Sequence, residues 1–154
     1  MLNELIEKYG YAVQIVEPDP EEADRYFAYT IGLFEKYEHP EMFVFAFGSD
    51  NAKNIAQSCG SYVKEGNVIY PNKINNDLAN LASYARPIHP SNFEEFLGIG
   101  MEYYGHKNFP ALQLFWPNKD GLFPWDEQYT YTASVEPQPK LYLPENELEV
   151  QNLY

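Results

Sequence analysis

Hydrophobic positions along this chain change period several times, and each change marks an element. In "LNELIEKYG" Leu2, Leu5, Ile6 and Tyr9 recur at three and four residues, which predicts a short amphipathic helix stopped by Gly10. "YAVQIVE" alternates instead, with Ala12, Gln14 and Val16 on one side of a strand and Val13 and Ile15 on the other. The prolines and acids of "PDPEEAD" cannot extend a ladder, so that stretch reads as a loop. In "RYFAYTIGL" the large Phe27, Tyr29, Ile31 and Leu33 alternate with the small Ala28, Thr30 and Gly32, predicting a strand closely packed on its small face. "MFVFAFG" repeats the alternation through Phe43, Phe45 and Phe47, and these two strands are expected to form a hairpin.

The period of a helix returns in "SDNAKNIAQSCGSYVKEG". Ser49 or Asp50 serves as the cap, Ala52, Ile55, Ala56, Cys59 and Val63 form the inward stripe, and Gly66 lies beyond the end. Asn-rich turns interrupt the next stretch, where short strands are expected near Val68 to Tyr70 and near Ser83 to Ile88. Ser91 and Glu94 have the spacing of a capping box ahead of Phe93, Phe96, Leu97, Met101 and Tyr104, a helix stopped by Gly105. "ALQLFW" is then a strand with one face in the core, "PNKDG" a turn, and "LFPW" the start of a return. "YTYTASV" alternates like a strand, and "PENELEVQNLY" is an acidic tail. Together these elements predict a single α+β domain over residues 1–154, a mainly antiparallel aromatic-rich sheet with about three helices packed to one side.

Composition supports independent folding: 45% of the 154 residues are hydrophobic and 17% aromatic, far from the disordered regime. Charge adds more. Residues 1–41 carry ten acids and three bases, residues 42–119 six of each, and residues 120–154 seven acids and one base, so the net −13 is concentrated toward the two ends. Such a field repels nucleic acid and anionic membranes and steers a basic partner inward. The start of the chain has no basic region leading into an apolar run, and no later run approaches the ~20 residues that span a bilayer, so a cytoplasmic location is expected. Cys59, the one cysteine, reads as a small buried hydrophobe.

Candidate chemistry is sparse. His39 and His89 each precede a proline and His106 follows a helix stop; none forms a ligand pair, and no metal or cofactor is expected. No serine occupies a nucleophile elbow, and Gly98 and Gly100 fall inside a helical pattern that close packing explains. Glu94 with Glu95, or Asp120 with Asp126, has the composition of a catalytic pair, but capping and turn roles account for these residues, and no catalytic residue is assigned. Gln113, a lone amide in an apolar strand, must bond backbone, face solvent or point into a pocket, since an unpaired buried amide costs about 1–3 kcal/mol. Trp116, Phe123 and Trp125 flank "PNKDG" and are expected to cluster at one end of the sheet, as binding anchors or as a cap on the core.

"YAVQIVE" with "FAYTIGLFEKYEHPEM", the helix start "HPSNFEEFLG", and above all "YGHKNFPALQLFWPNKDGLFPW" resemble the bacterial domain-of-unknown-function family 4262 over about residues 9–126, leaving an acidic segment at 127–154. The resemblance implies no catalytic residues. In that family a glycine often precedes the His-Pro-Glu triplet; this chain has Glu38, so its turn is expected to differ. Two functions are carried forward. The first is a non-enzymatic binding protein that captures a basic protein partner, as an immunity or inhibitor protein captures a toxin, with Glu41, Asp120 and Trp125 among the contact candidates. The second is a small-ligand-binding protein or enzyme with a pocket near Thr30, Gly32, His39, Gln113 and Trp116, where the small residues of one strand leave room.

Overall fold

The computed structural model describes residues 1–17, 25–78, 81–130 and 138–151. The "PDPEEAD" connection and most of "YTYTASV" lie outside them. Six strands form one sheet: β1 (Ala12–Val16), β2 (Arg25–Ile31), β3 (Glu41–Phe47), β4 (Ile74–Leu78), β5 (Leu81–Pro87) and β6 (Ala111–Phe115), in the spatial order β1-β2-β3-β6-β5-β4. Every pairing is antiparallel except β3 with β6. The expected α+β class holds, and β2 and β3 pair as expected, with Phe27 opposite Phe45 and Tyr29 opposite Phe43.

The helices differ from expectation in placement. α3 (Ser49–Lys64) covers one face, where Ala52, Ala56, Cys59 and Val63 pack on Ala28, Val44, Ala46, Leu112 and Leu114. Four helices bury side chains on the other face: α1 (Leu2–Tyr9), α4 (Phe93–Phe96), α5 (Gly98–Tyr103) and α6 (Glu145–Gln151). The sheet is therefore sandwiched. The reason is visible in the alternation of β2 and β3: small residues admit the long helix closely, while Phe27, Phe43 and Phe45 meet Phe96 edge-on at centroid separations of 5.7–6.1 Å and need cover of their own. Of the small residues of β2, Ala28 packs on α3, Thr30 bonds the Glu41 carboxylate and Gly32 abuts Ile6, Gly10 and Tyr11. Leu33 breaks from the β2 alternation because it begins α2 (Leu33–Tyr37), and it joins the α3 side.

Several local expectations change. Residues 68–70 form no strand; the Asn-rich "INNDL" does, as β4. β6 is buried on both faces because Leu112 and Leu114 pack on the α3 side while Gln113 and Phe115 meet Pro139, Leu141, Trp125 and Tyr142 on the other, and no return strand follows it among the described residues. Asn118 accepts from the N–H groups of Asp120 and Leu122 through its side chain, closing a compact loop there. The single helix expected after Ser91 is broken at Leu97 (φ −120°) into α4 and α5, and a 3₁₀ turn at Pro90–Asn92 precedes it. The Ser91 hydroxyl accepts from Glu145 N, so it ties α6 down rather than forming a capping box.

The acidic tail is docked. Leu141 and Leu148 are buried, and Asn92 donates to the carbonyls of Leu141 and Leu143 at 2.8 Å each. Gln113 completes the attachment, donating to Pro139 O at 2.7 Å and accepting from Leu141 N at 3.0 Å.

Candidate functional site

Thr30, Gly32 and Glu41 converge where β2 turns into α2 and β3 begins. Glu41 is buried, and its carboxylate accepts from Thr30 Oγ1 at 2.8 Å and from the N–H groups of Gly32, Leu33 and Phe34 at 2.9–3.2 Å. The Tyr104 hydroxyl, from just beyond α5, donates a further short bond. Gly32 has φ 117°, and a Cβ there would press on Ile6 and the backbone of Gly10 and Tyr11, so only glycine fits this corner. Burial raises the Glu41 carboxyl above the ordinary carboxylate range, opposed by the Tyr104 and Thr30 hydroxyls and the Gly32 and Phe34 N–H groups. Burial and the Glu41 charge likewise hold the Tyr104 phenol above its usual value. This constellation fastens α2, β3 and α5 together and exposes no reactive atom.

The other pocket candidates bind elsewhere. His39 shares Nδ1 with the Pro40 carbonyl and accepts from Ile69 N at Nε2, at 2.8 and 2.9 Å, and burial lowers its pKa. Gln113 bonds Pro139 and Leu141, and Trp116 Nε1 donates to Phe45 O at 2.8 Å while its backbone exchanges two bonds with the Gln138 side chain. Each spends its polar atoms on a different backbone segment, so these residues do not converge on one pocket. Of the alternatives for Gln113, backbone bonding is the one realised.

The tryptophans do not cluster either. Trp116 packs on the α3 side with Leu112 and Leu114. Trp125 stands against Phe115, the neighbour of Trp116 and so on the opposite face, stacked on Phe123 at 5.2 Å and edge-on to Tyr142, with the Arg86 guanidinium over both the Trp125 and Tyr142 rings. Asp120 is exposed in the loop, whereas Asp126 accepts from Phe123 N at 2.7 Å. Cys59 is buried, its thiol pushed up to about 12 by desolvation.

A cleft of about 620 Å³ lies between the end of the β1–β2 pair and α4–α5. Val16, Phe27, Phe96 and Met101 supply apolar surface, Ile99 is an exposed hydrophobe beside them, and Glu94, Glu95 and Glu102 bring carboxylates to the same lining. Sequence reasoning treated Phe96 and Met101 only as a core stripe and Glu94 as a cap. The signal that was available is the acid–apolar interleaving of "FEEFLGIGME", which places both kinds of side chain on one half-buried helix pair.

The sequence profile of a domain of unknown function, DUF4262, matches residues 5–130. The chain belongs to the DUF4262 family. The matched region holds all six strands, the Glu41 constellation and the acid-lined cleft, whereas the DUF4262 match ends before the docked segment 138–151. No curated protein and no solved structure matches the chain. Among the described residues no helix is long and apolar enough to cross a membrane.

Proposed function

We propose that this protein is a non-enzymatic binding protein of the bacterial cytoplasm that captures a basic protein partner, as an immunity or inhibitor protein captures a toxin. The cleft between the β1–β2 pair and α4–α5 carries this reading, because an apolar aromatic wall and three glutamates line the same space. A lysine or arginine side chain suits both: its stem covers Ile99 and Met101, its charged end meets carboxylate, and ring faces add about 0.5–2 kcal/mol. The net charge of −13 raises the encounter rate with such a partner. The helices of this face carry further exposed acids, Glu4 and Glu7 on α1 and Glu145 and Glu147 on α6. The contact surface proposed is thus the acidic helical face rather than the tryptophan loop.

Calorimetric titration of a lysine-rich peptide tests the reading. Binding is expected to weaken about tenfold or more between roughly 50 mM and 300 mM salt. The combined change Glu94→Gln, Glu95→Gln and Glu102→Gln should weaken it by a similar factor, while Lys119→Gln, exposed in the tryptophan loop, leaves it intact. An affinity indifferent to salt or to the triple neutralisation would remove the basis of the proposal.

A further inference from the structure

The two edges of the sheet are built differently. β4, at one edge, is blunted: its pairing with β5 shifts register between Asn75 and Leu78, Asp77 lies within it, and the Asn75 side chain accepts from Asp77 N. These are devices that discourage a further strand. β1, at the other edge, has neither the register shift nor the charge. It pairs only with β2 among the described residues, in unbroken register from Ala12↔Ile31 to Val16↔Phe27, and "AVQIV" contains no charge, proline or glycine. The Gln14 side-chain amide donates to the Ile15 carbonyl at 3.3 Å, a long bond within β1 that an added strand would have to displace.

Two clefts of opposite charge lie toward the two ends of this strand, one at Val16 and one at Ala12 and Val13. On the α4–α5 side is the acid-lined cleft, which takes in Val16 and Phe27. On the α3 side a second cleft of about 410 Å³ takes in Val13 and carries Lys53 and Lys64 with Gln57 and Ser61. Side chains of a strand laid along β1 would alternate between the two faces of the sheet, those on the α4–α5 face nearing the glutamates beside Val16 and those on the α3 face nearing the lysines beside Val13.

We infer that β1 receives an extended segment of the basic partner as an added strand, with basic residues at every second position facing Glu94, Glu95 and Glu102 and acidic or polar residues between them facing Lys53 and Lys64. The inference rests on the proposed capture of a basic partner and specifies how that partner is held. Backbone bonds supply the alignment, and the alternation of charge selects the register, because a shift by one residue sets every charge against its like.

The test uses the intact protein and a ten-residue peptide alternating lysine with glutamate or threonine, prepared in three forms: unmodified, N-methylated at odd positions and N-methylated at even positions. Strand addition requires the N–H of alternate residues only, so one methylated form should lose about tenfold or more in affinity while the other binds like the parent. Hydrogen exchange should slow at every second amide from Ala12 to Val16 when the parent peptide is bound. Equal binding by all three forms overturns strand addition, and the acid-cleft reading then survives if binding still falls with salt and with the triple glutamine variant. Absence of binding by all three and by the lysine-rich peptide overturns both. Protection of β1 that grows with protein concentration alone would assign the edge to a second copy of this chain and overturn the proposal.

Discussion

Glu38 shows how a single residue can be read from sequence and still surprise. The glycine that often stands before His-Pro-Glu suggested that a different residue would change the turn, yet Glu38 itself adopts the left-handed conformation, with φ 55° and ψ 35°. Glu38 N bonds Phe34 O and His39 N bonds Leu33 O, a helix ending that ordinarily uses glycine. A side chain in this conformation costs about 1 kcal/mol, and Glu38 is exposed with no packing to repay it. Glu38→Gly is therefore expected to stabilise the protein by about 1 kcal/mol and raise Tm by roughly 2–4 °C for a chain of this size. Thermal unfolding of the two proteins checks it, and a lower Tm for the variant would show that Glu38 contributes a contact worth more than the strain. Residue-level chemistry was legible where backbone geometry alone decides it, as at Gly10 with φ 89° and Gly105 with φ 63°. The distant partners of His39 and Gln113 were not, because Ile69, Pro139 and Leu141 are 26 or more positions away.

Among the elements, amphipathic period located α1 and α3 and the alternating strands β1, β2 and β3, because each buries one well-defined stripe or face. Besides β4 and α2, the docked segment 138–151 escaped. Its acidic composition reads as a solvated tail, and the apolar Leu141 and Leu148 are too widely spaced to signal burial. Gln113 substitutes for a strand partner by bonding both a carbonyl and an N–H of that segment. Gln113→Ala should leave Pro139 O and Leu141 N with only the 3.1 Å bond they make to each other and cost about 1–3 kcal/mol. The loss should be uneven: amide exchange across residues 138–151 is expected to accelerate well before that of β2 and β3. Acceleration of equal size throughout the sheet would mean that Gln113 supports the core itself rather than the docking of this segment.

For the molecule as a whole, stability should fall toward both acid and alkaline pH. His39 is buried with its pKa lowered by desolvation, so its contribution is full above the ordinary value of 6.5 and is lost as pH falls through the lower folded value. Protonation would also turn the Nε2 acceptor of Ile69 N–H into a donor facing a donor. Glu41, with its carboxyl raised by burial, works in the opposite direction above 4.5, and comparison of the parent with His39→Gln separates the two. Denaturant midpoints measured from pH 7.5 down to about 5.5 should drop in the parent and less in the variant; parallel curves would sink this assignment. Tyr29, Tyr103 and Tyr104 are all raised above 10, first by burial, so their contribution is full below pH 10 and is lost as pH climbs past it.

By itself the sequence determined the class of fold, the family, the principal helices and strands, and an acidic charge concentrated toward the chain ends, because periodicity, turn chemistry and composition are local or additive properties. Tertiary structure alone decided that helices cover both faces and that the tryptophans part to opposite sides of the sheet. It alone placed Tyr104 on Glu41 and set glutamates and lysines on either side of an unblunted edge strand. Those outcomes depend on strand order, above all on the parallel insertion of β6 beside β3, and no local pattern encodes which distant strand becomes a neighbour.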